Sequence, residues 1–194
     1  MFEDIIKNSI KNSLEVKQKI LQDEKLISTI SQVVFEIINA YRNDKKVLLC
    51  GNGGSAADAQ HIASELSGKF YFDRPPLFAE ALHTNTSYIT AVANDYSFEE
   101  IYSRLIRAKG KSGDVIIGIS TSGNSKNIIK AIKVANEIGI LTVGMTGELG
   151  GKMKDICKYL INVPSIDTPR IQETHILIGH IICQLVEKEL FKND

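Results

Sequence analysis

Two turns rich in glycine and serine decide the predicted fold: GNGGS at residues 51–55 and STSGNS at residues 120–125. Each follows a short apolar run, 46–50 or 115–119, and each precedes a helical pattern. Apolar runs without polar alternation are typical of strands buried in a parallel sheet. A strand that ends where a helix begins leaves free backbone N–H groups at the helix start. Both turns are therefore candidate anion-binding sites.

The bulk composition is that of one ordinary globular domain. The chain has 194 residues, of which 43% are hydrophobic, and its 23 Lys plus Arg equal its 23 Asp plus Glu. Without a basic excess there is no electrostatic basis for nucleic-acid binding. The cysteines Cys50, Cys157 and Cys183 lie in apolar runs without metal-ligand spacing, which indicates unpaired thiols in a reducing compartment.

The sequence also argues against export or membrane insertion. Its first residues are acidic, and no apolar run approaches the roughly 18 residues that a membrane span needs. We therefore expect a cytoplasmic protein.

Hydrophobic periodicity predicts a single α/β domain over residues 1–194. Two helical patterns, 2–21 and 26–41, precede the first strand. The predicted strands are 46–50, 77–82, 114–119, 140–145 and 159–163, and the predicted later helices are 55–68, 86–93, 98–109, 125–138 and 170–191. Such alternation indicates a parallel sheet with helices on both faces. Because crossover helices already flank the sheet, we expect residues 1–43 to form an arm that packs against another subunit.

The first turn is open to two other interpretations. Residues 51–56 match G-x-G-x-x-A, the dinucleotide-binding fingerprint. However, Glu80 is the only candidate for the acidic residue that would bind the ribose, and it lies inside an apolar run. The turn could also simply connect strand to helix. A P-loop is excluded, because no Gly-Lys-Ser/Thr follows.

The second turn is the stronger signal for a phosphate. Its hydroxyls and N–H groups can surround a phosphate without any lysine, which suits a monophosphate ester that must be released again. Alternatively, Ser122 or Asn124 caps the helix that begins near Ser125. Capping needs one such residue, whereas the turn carries five, so phosphate binding is the better explanation.

A second group of residues is suited to metal binding. His61 and Glu65 are four apart on the helix after the first turn and so share one face. Gln172 and His180 lie in the last helix, with His175 on a different face. Together, the side chains of His61, Glu65, Gln172 and His180 could hold a divalent cation such as zinc. Because Gln172 and His180 are about 12 Å apart along a helix, either Gln172 lies at the helix start or neighbouring subunits share the site.

Four segments together resemble the sugar isomerase (SIS) domain family: CGNGGS at 50–55, HIASEL at 61–66, GISTSGNS at 118–125, and RIQE at 170–173 with His180. The resemblance covers the chain from its first helices to its last. It implies a flavodoxin-like, five-stranded parallel sheet and a homotetramer with active sites at or near subunit interfaces. It also implies one zinc ion per subunit, held by His61, Glu65, Gln172 and His180.

Within the family, the residues are most similar to those of aldose–ketose isomerases that interconvert sedoheptulose 7-phosphate and D-glycero-D-manno-heptose 7-phosphate for lipopolysaccharide, capsule or other surface glycans. The substrate-binding residues that this resemblance implies are Asn52, Gly53, Gly54, Ser55, Glu65, Asn94, Asp95, Ser120, Thr121, Ser122, Ser125 and Gln172.

The chemistry of such an isomerase assigns roles to two residues. Glu65 is the expected base that moves a proton between C1 and C2 through an enediol, and His180 the expected acid. The main alternative is a non-catalytic member of the family that binds the replication initiator. In such a protein Glu65 and His180 would have no work to do. A sugar-phosphate-sensing regulatory domain and a dinucleotide-binding oxidoreductase are further alternatives.

Overall fold

The computed structural model describes residues 1–191, and within them the chain forms a five-stranded sheet and seven α-helices. The strands are β1 (Val47–Gly51), β2 (Ala79–Ala81), β3 (Val115–Ile119), β4 (Leu141–Gly147) and β5 (Tyr159–Val163). The helices are α1 (Phe2–Gln22), α2 (Glu24–Arg42), α3 (Gly54–Ser67), α4 (Thr86–Asp95), α5 (Ile101–Lys109), α6 (Lys126–Glu137) and α7 (Thr168–Phe191).

All strand pairs are parallel, in the order β2-β1-β3-β4-β5. This is the flavodoxin-like order, and it confirms the predicted fold class. In the pairing of β1 with β3, Gly51 lies opposite Ile119. The two turns therefore follow neighbouring strands at the same edge of the sheet, where ligands of open α/β sheets bind.

Each face of the sheet is covered by a layer of helices. Helices α2, α3 and α7 pack with strand residues such as Leu49, Ile117 and Val143. Helices α4, α5 and α6 pack on the opposite face with Leu48 and Ile116. Because side chains alternate along a strand, strands buried on both faces must be apolar throughout, and this explains the continuous apolar runs.

The N-terminal region differs from the prediction. The expectation that both of its helices lack a place on the sheet is wrong for α2, whose residues Ile30, Val33 and Ile37 are buried in the core with α7 and β5. Helices α3 and α7 leave room on that face for a third helix. Helix α1 keeps an exposed apolar face, formed by Phe2, Ile5, Ile6, Ile10 and Leu14.

Smaller differences concern element ends. The predicted strand 77–82 is paired only over Ala79–Ala81, and the predicted helix 98–109 begins with a 3-10 turn at Phe98–Glu100. A second 3-10 turn, Gly151–Asp155, was not predicted. None of the helices in residues 1–191 combines the length and the hydropathy that crossing a bilayer requires.

Candidate active site

The first turn is held from two sides. The side chains of Asn52 and Asn127 exchange a pair of hydrogen bonds of 2.9 and 2.8 Å, which ties the turn to the start of α6. On the other side, the buried Tyr102 hydroxyl donates to the Gly51 carbonyl at 2.5 Å. The turn thus contributes to the structure beyond connecting β1 to α3, because it is fixed against the helix that follows the second turn.

The hydroxyls of the second turn bond mainly within the turn. Ser120 and Ser125 share a hydrogen bond of 2.9 Å between their Oγ atoms. Ser125 is the N-cap residue of α6, but its side chain makes no capping hydrogen bond. Asn124 Oδ1 instead accepts from the Lys152 N–H at 3.1 Å, and Ser122 Oγ accepts from the Asn124 N–H at 3.2 Å. The capping alternative is therefore not observed, and the Ser120–Ser125 pair lies at the start of α6, where N–H groups lack helical partners.

Close packing sets the shape of the second turn. Gly123 has φ +65°, and a Cβ there would lie 2.1 Å from the Gly150 carbonyl oxygen. Glycine is thus required both by the backbone conformation and by the approach of the loop after β4. A turn packed this tightly presents its N–H groups and hydroxyls in one fixed arrangement.

His61, Glu65 and His180 come together between α3 and α7. His61 Nε2 lies 3.1 Å from Glu65 Oε1 and 3.3 Å from His180 Nε2. The two imidazole rings meet edge to face, with centroids 5.0 Å apart. The structure therefore places three of the four predicted metal ligands, including both predicted catalytic residues, in one cluster centred on His61.

Gln172 lies at the other end of the same helix pair. Its amide packs against Gly54, where a Cβ would be 2.6 Å from Gln172 Nε2. Because α3 and α7 run side by side in the same direction, Gln172 lies near the start of α3, whereas His180 faces His61, two turns further along. The structure of a single chain does not show Gln172 in contact with the other three predicted ligands, so its role as a ligand stays a prediction.

His175 does not belong to this cluster. It is fully buried, and its Nε2 lies 3.1 Å from the Thr146 carbonyl oxygen. Burial lowers the pKa of His175 to about 4, although the Thr146 hydrogen bond opposes the shift. The sequence prediction that His175 lies off the common side of Gln172 and His180 agrees with this position.

The donor chemistry of the cluster fits a divalent metal. Two imidazole nitrogens and a carboxylate oxygen are common zinc ligands, and all three lie within hydrogen-bonding distance of a neighbour in the set. His61 Nε2 lies between the other two groups and contacts both Glu65 and His180. Accordingly, within residues 1–191 no three His, Cys, Asp or Glu side chains are already arranged around a single point.

Three further predicted substrate residues, Ser55, Asn94 and Asp95, lie on α3 and α4. Ser55 is buried in the first turn of α3. Asn94 and Asp95 lie exposed at the end of α4, where Asn94 Nδ2 donates to Asp95 Oδ1 at 3.0 Å. The hydrogen bonds in the structure link neither of them to the cluster, so their contact with substrate stays a prediction.

Several residues that shape the site were not anticipated. Asn127 and Tyr102 brace the first turn, and the buried ion pair of Arg74 with Glu187 lies beside the cluster. Asp58 on α3 has a buried Oδ2 without a hydrogen-bond partner, and burial raises its pKa to about 6 although His61 opposes the shift. The sequence patterns that could have indicated these residues were weak. Glu187, for example, is a charged residue among the mostly apolar buried residues of α7, seven residues after His180.

Comparison with known protein families gives a match to the SIS domain over residues 10–147. The chain is 57% identical over 190 residues to a phosphoheptose isomerase of Aneurinibacillus thermoaerophilus, covering 98% of this chain and 96% of that protein. It is 55% identical over 186 residues to phosphoheptose isomerase 2 of Campylobacter jejuni, covering 96% of this chain and 92% of that protein.

Solved structures agree with these sequence relatives. The fold is similar to that of the phosphoheptose isomerase GmhA from Neisseria gonorrhoeae, with a TM-score of 0.91 and 41% identity over 97% of this chain and all of that one. A phosphoheptose isomerase from Francisella tularensis gives a TM-score of 0.92 at 34% identity, covering 97% of this chain and 99% of that one.

Proposed function

The chain belongs to the SIS domain family, among its phosphoheptose isomerases, and from this premise we propose that it is an aldose–ketose isomerase acting on sedoheptulose 7-phosphate. The product is D-glycero-D-manno-heptose 7-phosphate, a precursor of heptose-containing surface glycans. The observation that carries the proposal is the contact of His61, Glu65 and His180 between α3 and α7, in a chain whose sheet edge bears the serine turn.

The second turn binds the phosphate of the substrate in this proposal. Its Ser120 and Ser125 hydroxyls and the free N–H groups at the start of α6 supply donors to an anion. No lysine or arginine is needed, because the helix dipole adds a favourable partial charge. The first turn lies next to it and is kept there by the paired amides of Asn52 and Asn127.

The His–Glu–His cluster carries out the proton transfers. Glu65 takes a proton from C1 of the ketose, and the resulting enediol receives it at C2 to give the aldose. In the reaction the oxygen on C1 changes from hydroxyl to carbonyl, and the oxygen on C2 changes from carbonyl to hydroxyl. His180 moves a proton between these two oxygens. No proton is gained or lost overall, so one base and one acid are sufficient.

A zinc ion is part of the proposal. His61, Glu65 and His180 would hold it in each subunit, with Gln172 as the fourth ligand that the family resemblance implies. When bound, the metal would supply electrophilic stabilisation of the developing oxyanion. Elemental analysis of purified protein tests this: one zinc per chain is expected, and His61→Gln should lower the content, whereas His175→Gln, on the same helix pair but outside the cluster, should not.

We also propose a homotetramer with sites at or near the subunit interfaces. Helix α1 exposes Phe2, Ile5, Ile6, Ile10 and Leu14, and a groove of about 330 Å³ between α1, α2 and α7 is lined mainly by leucine and isoleucine. Burial of exposed apolar surface is energetically favourable. The exposed face of α1 and the groove therefore suit contact with further copies of the chain. Deleting residues 1–22 should give smaller, inactive species in light scattering. A fully active monomer would contradict the proposal.

The activity itself is tested by incubating the purified protein with sedoheptulose 7-phosphate and following aldose formation by NMR. Incorporation of solvent deuterium at the transferred position would report the enediol. Product formation by wild type and its loss in Glu65→Gln would support the proposal. The absence of any isomerisation by the metal-loaded tetramer would refute it.

A further inference from the structure

Glu187 is a fully buried carboxylate that organises the strap at residues 68–76, between α3 and β2. Its two oxygens accept the backbone N–H groups of Phe70, Tyr71 and Phe72 at 3.0, 2.6 and 3.2 Å. Burial acts to raise the pKa of Glu187, but these three hydrogen bonds and the one from Arg74 together lower it by more. The pKa of Glu187 therefore lies below its ordinary value. The side chain is therefore a charged anchor for the strap.

Arg74 completes the anchor from the strap side. Its Nε donates to Glu187 Oε1 at 3.0 Å, and only 2% of the side chain is exposed. Its other nitrogens donate to the carbonyls of Glu65, at 2.9 Å, and Leu66, at 2.8 Å. These carbonyls lie in the last turn of α3, where no helical N–H remains to satisfy them.

The pair thus reaches both residues to which we assign proton transfer. On α3, Arg74 fixes the backbone carbonyl of Glu65. On α7, the strap places the Phe70 ring 5.6 Å from the His180 ring, at a distance typical of packed aromatic pairs. Glu187 and His180 are seven residues apart and so lie on the same face of α7.

A buried ion pair is a poor way to gain stability. Removing two charges from water is costly, and well-packed apolar side chains often serve equally well. The pair instead fixes the orientation of the groups around it, because the planar guanidinium donates at set angles to several acceptors at once. Its hydrogen bonds link α3, the strap and α7 around the cluster.

We infer that Arg74 and Glu187 are positioning residues that set the geometry of Glu65 and His180. This inference rests on the proposed function, because it is in isomerisation that the two positioned groups act. The side chains of Arg74 and Glu187 are 2% and 0% exposed, so both act through the residues that they hold.

The test compares two carboxylate-to-amide changes in buried ion pairs. Glu187→Gln weakens the anchor, and the control Asp114→Asn weakens the pair of Asp114 with Lys46, whose Nζ lies 2.7 Å from Asp114 Oδ2. Asp114 precedes β3, at the opposite end of the strand from the serine turn. We expect kcat of Glu187→Gln to fall by roughly ten- to a hundredfold with KM little changed, as a small misplacement of reacting groups produces. Asp114→Asn should leave both constants near those of wild type.

A second pair of variants guards against misfolding of Glu187→Gln. Phe70→Leu removes the ring against His180 but keeps the strap N–H groups, and Tyr71→Leu is its exposed neighbour. We expect Phe70→Leu to lower kcat without raising KM, and Tyr71→Leu to do neither. Equal kcat losses in Glu187→Gln and Asp114→Asn would overturn the inference, as would an unchanged kcat in Phe70→Leu.

A readout without turnover separates this inference from the proposed function. The NMR signals of the His180 ring report its place beside Phe70 through the ring current of that side chain. Glu187→Gln should shift them and Asp114→Asn should not. If wild type isomerises no sugar phosphate, the proposed function fails, and this comparison still decides whether the pair positions His180. Unshifted His180 signals in a folded Glu187→Gln protein would overturn the inference.

Discussion

The serine turn, at the carboxyl edge of the sheet, and the His–Glu–His cluster, further along α3 and α7, are built in different ways. The turn is backbone with short hydroxyl side chains, fixed by a glycine against the loop after β4. The cluster consists of long side chains from two helices, with the ion pair of Arg74 and Glu187 beside it. The turn is uncharged, whereas the cluster contains a carboxylate and two imidazoles.

This difference suggests a division of labour. A rigid, neutral cradle can bind and release a phosphate ester, since its affinity comes from several moderate hydrogen bonds. Proton transfer instead needs groups that change protonation state at neutral pH. Changes in the turn should therefore alter KM, and changes in the cluster should alter kcat. Variants in the turn and in the cluster test this separation.

The largest effect is expected for Glu65→Gln. Glutamine keeps the volume and one metal-competent oxygen but cannot accept the C–H proton, so kcat should fall by about 10²–10⁴-fold with KM little changed. Steady-state kinetics and hydrogen exchange with deuterated water measure this. Added zinc should restore part of the defect of His180→Gln, a ligand variant, but not that of Glu65→Gln. More than about a tenth of wild-type turnover in Glu65→Gln would reject Glu65 as the base.

The next effect concerns the turn. Ser120→Ala or Ser125→Ala should each raise KM about tenfold, because each removes a hydrogen bond to a charged group, typically about 1.5–3 kcal/mol. The matched control is Ser112→Ala, an exposed serine just before the other end of β3. If KM is unchanged in both turn variants, the phosphate binds elsewhere.

A smaller effect is expected where the two turns are tied together. Asn127→Ala leaves the Asn52 amide without its partner, so KM should rise about fivefold, equivalent to roughly 1 kcal/mol. Asn136→Ala, on the same helix, removes hydrogen bonds to Ile156 and Thr142 at its far end and serves as the control. A lowered kcat with constant KM in Asn127→Ala would mean that the turns and the cluster are not separable.

The smallest effect is on stability and concerns His175, which neither region uses. Its pKa is lowered from 6.5 to about 4 by burial, so the unfolded chain binds the proton more readily. Its stabilising contribution is complete above pH 6.5 and is lost as pH falls from 6.5 towards 4. Between about pH 7.5 and pH 5.5, wild type should lose about 1 kcal/mol more than His175→Gln in urea unfolding. Equal losses would contradict this origin.

The sequence was sufficient to predict most of the fold. The apolar runs around Leu49 and Ile117 predicted buried parallel strands, because only strands covered on both faces lack polar alternation. Local pattern also predicted that His61 and Glu65 meet, since residues four apart share a helix face. It was wrong about α2, because periodicity shows that a helix has an apolar face but not what covers that face.

The sequence by itself therefore determined the strands, the two turns and the chemistry of the candidate residues, since these depend on neighbours along the chain. Only the tertiary structure decided which distant groups meet: His180 with His61, Asn127 with Asn52, and Glu187 with Arg74. The partners in these pairs are 75 to 119 residues apart. Their contact depends on the packing of α3 and α7 on one sheet face and on the order of the strands, and no local pattern of residues encodes either.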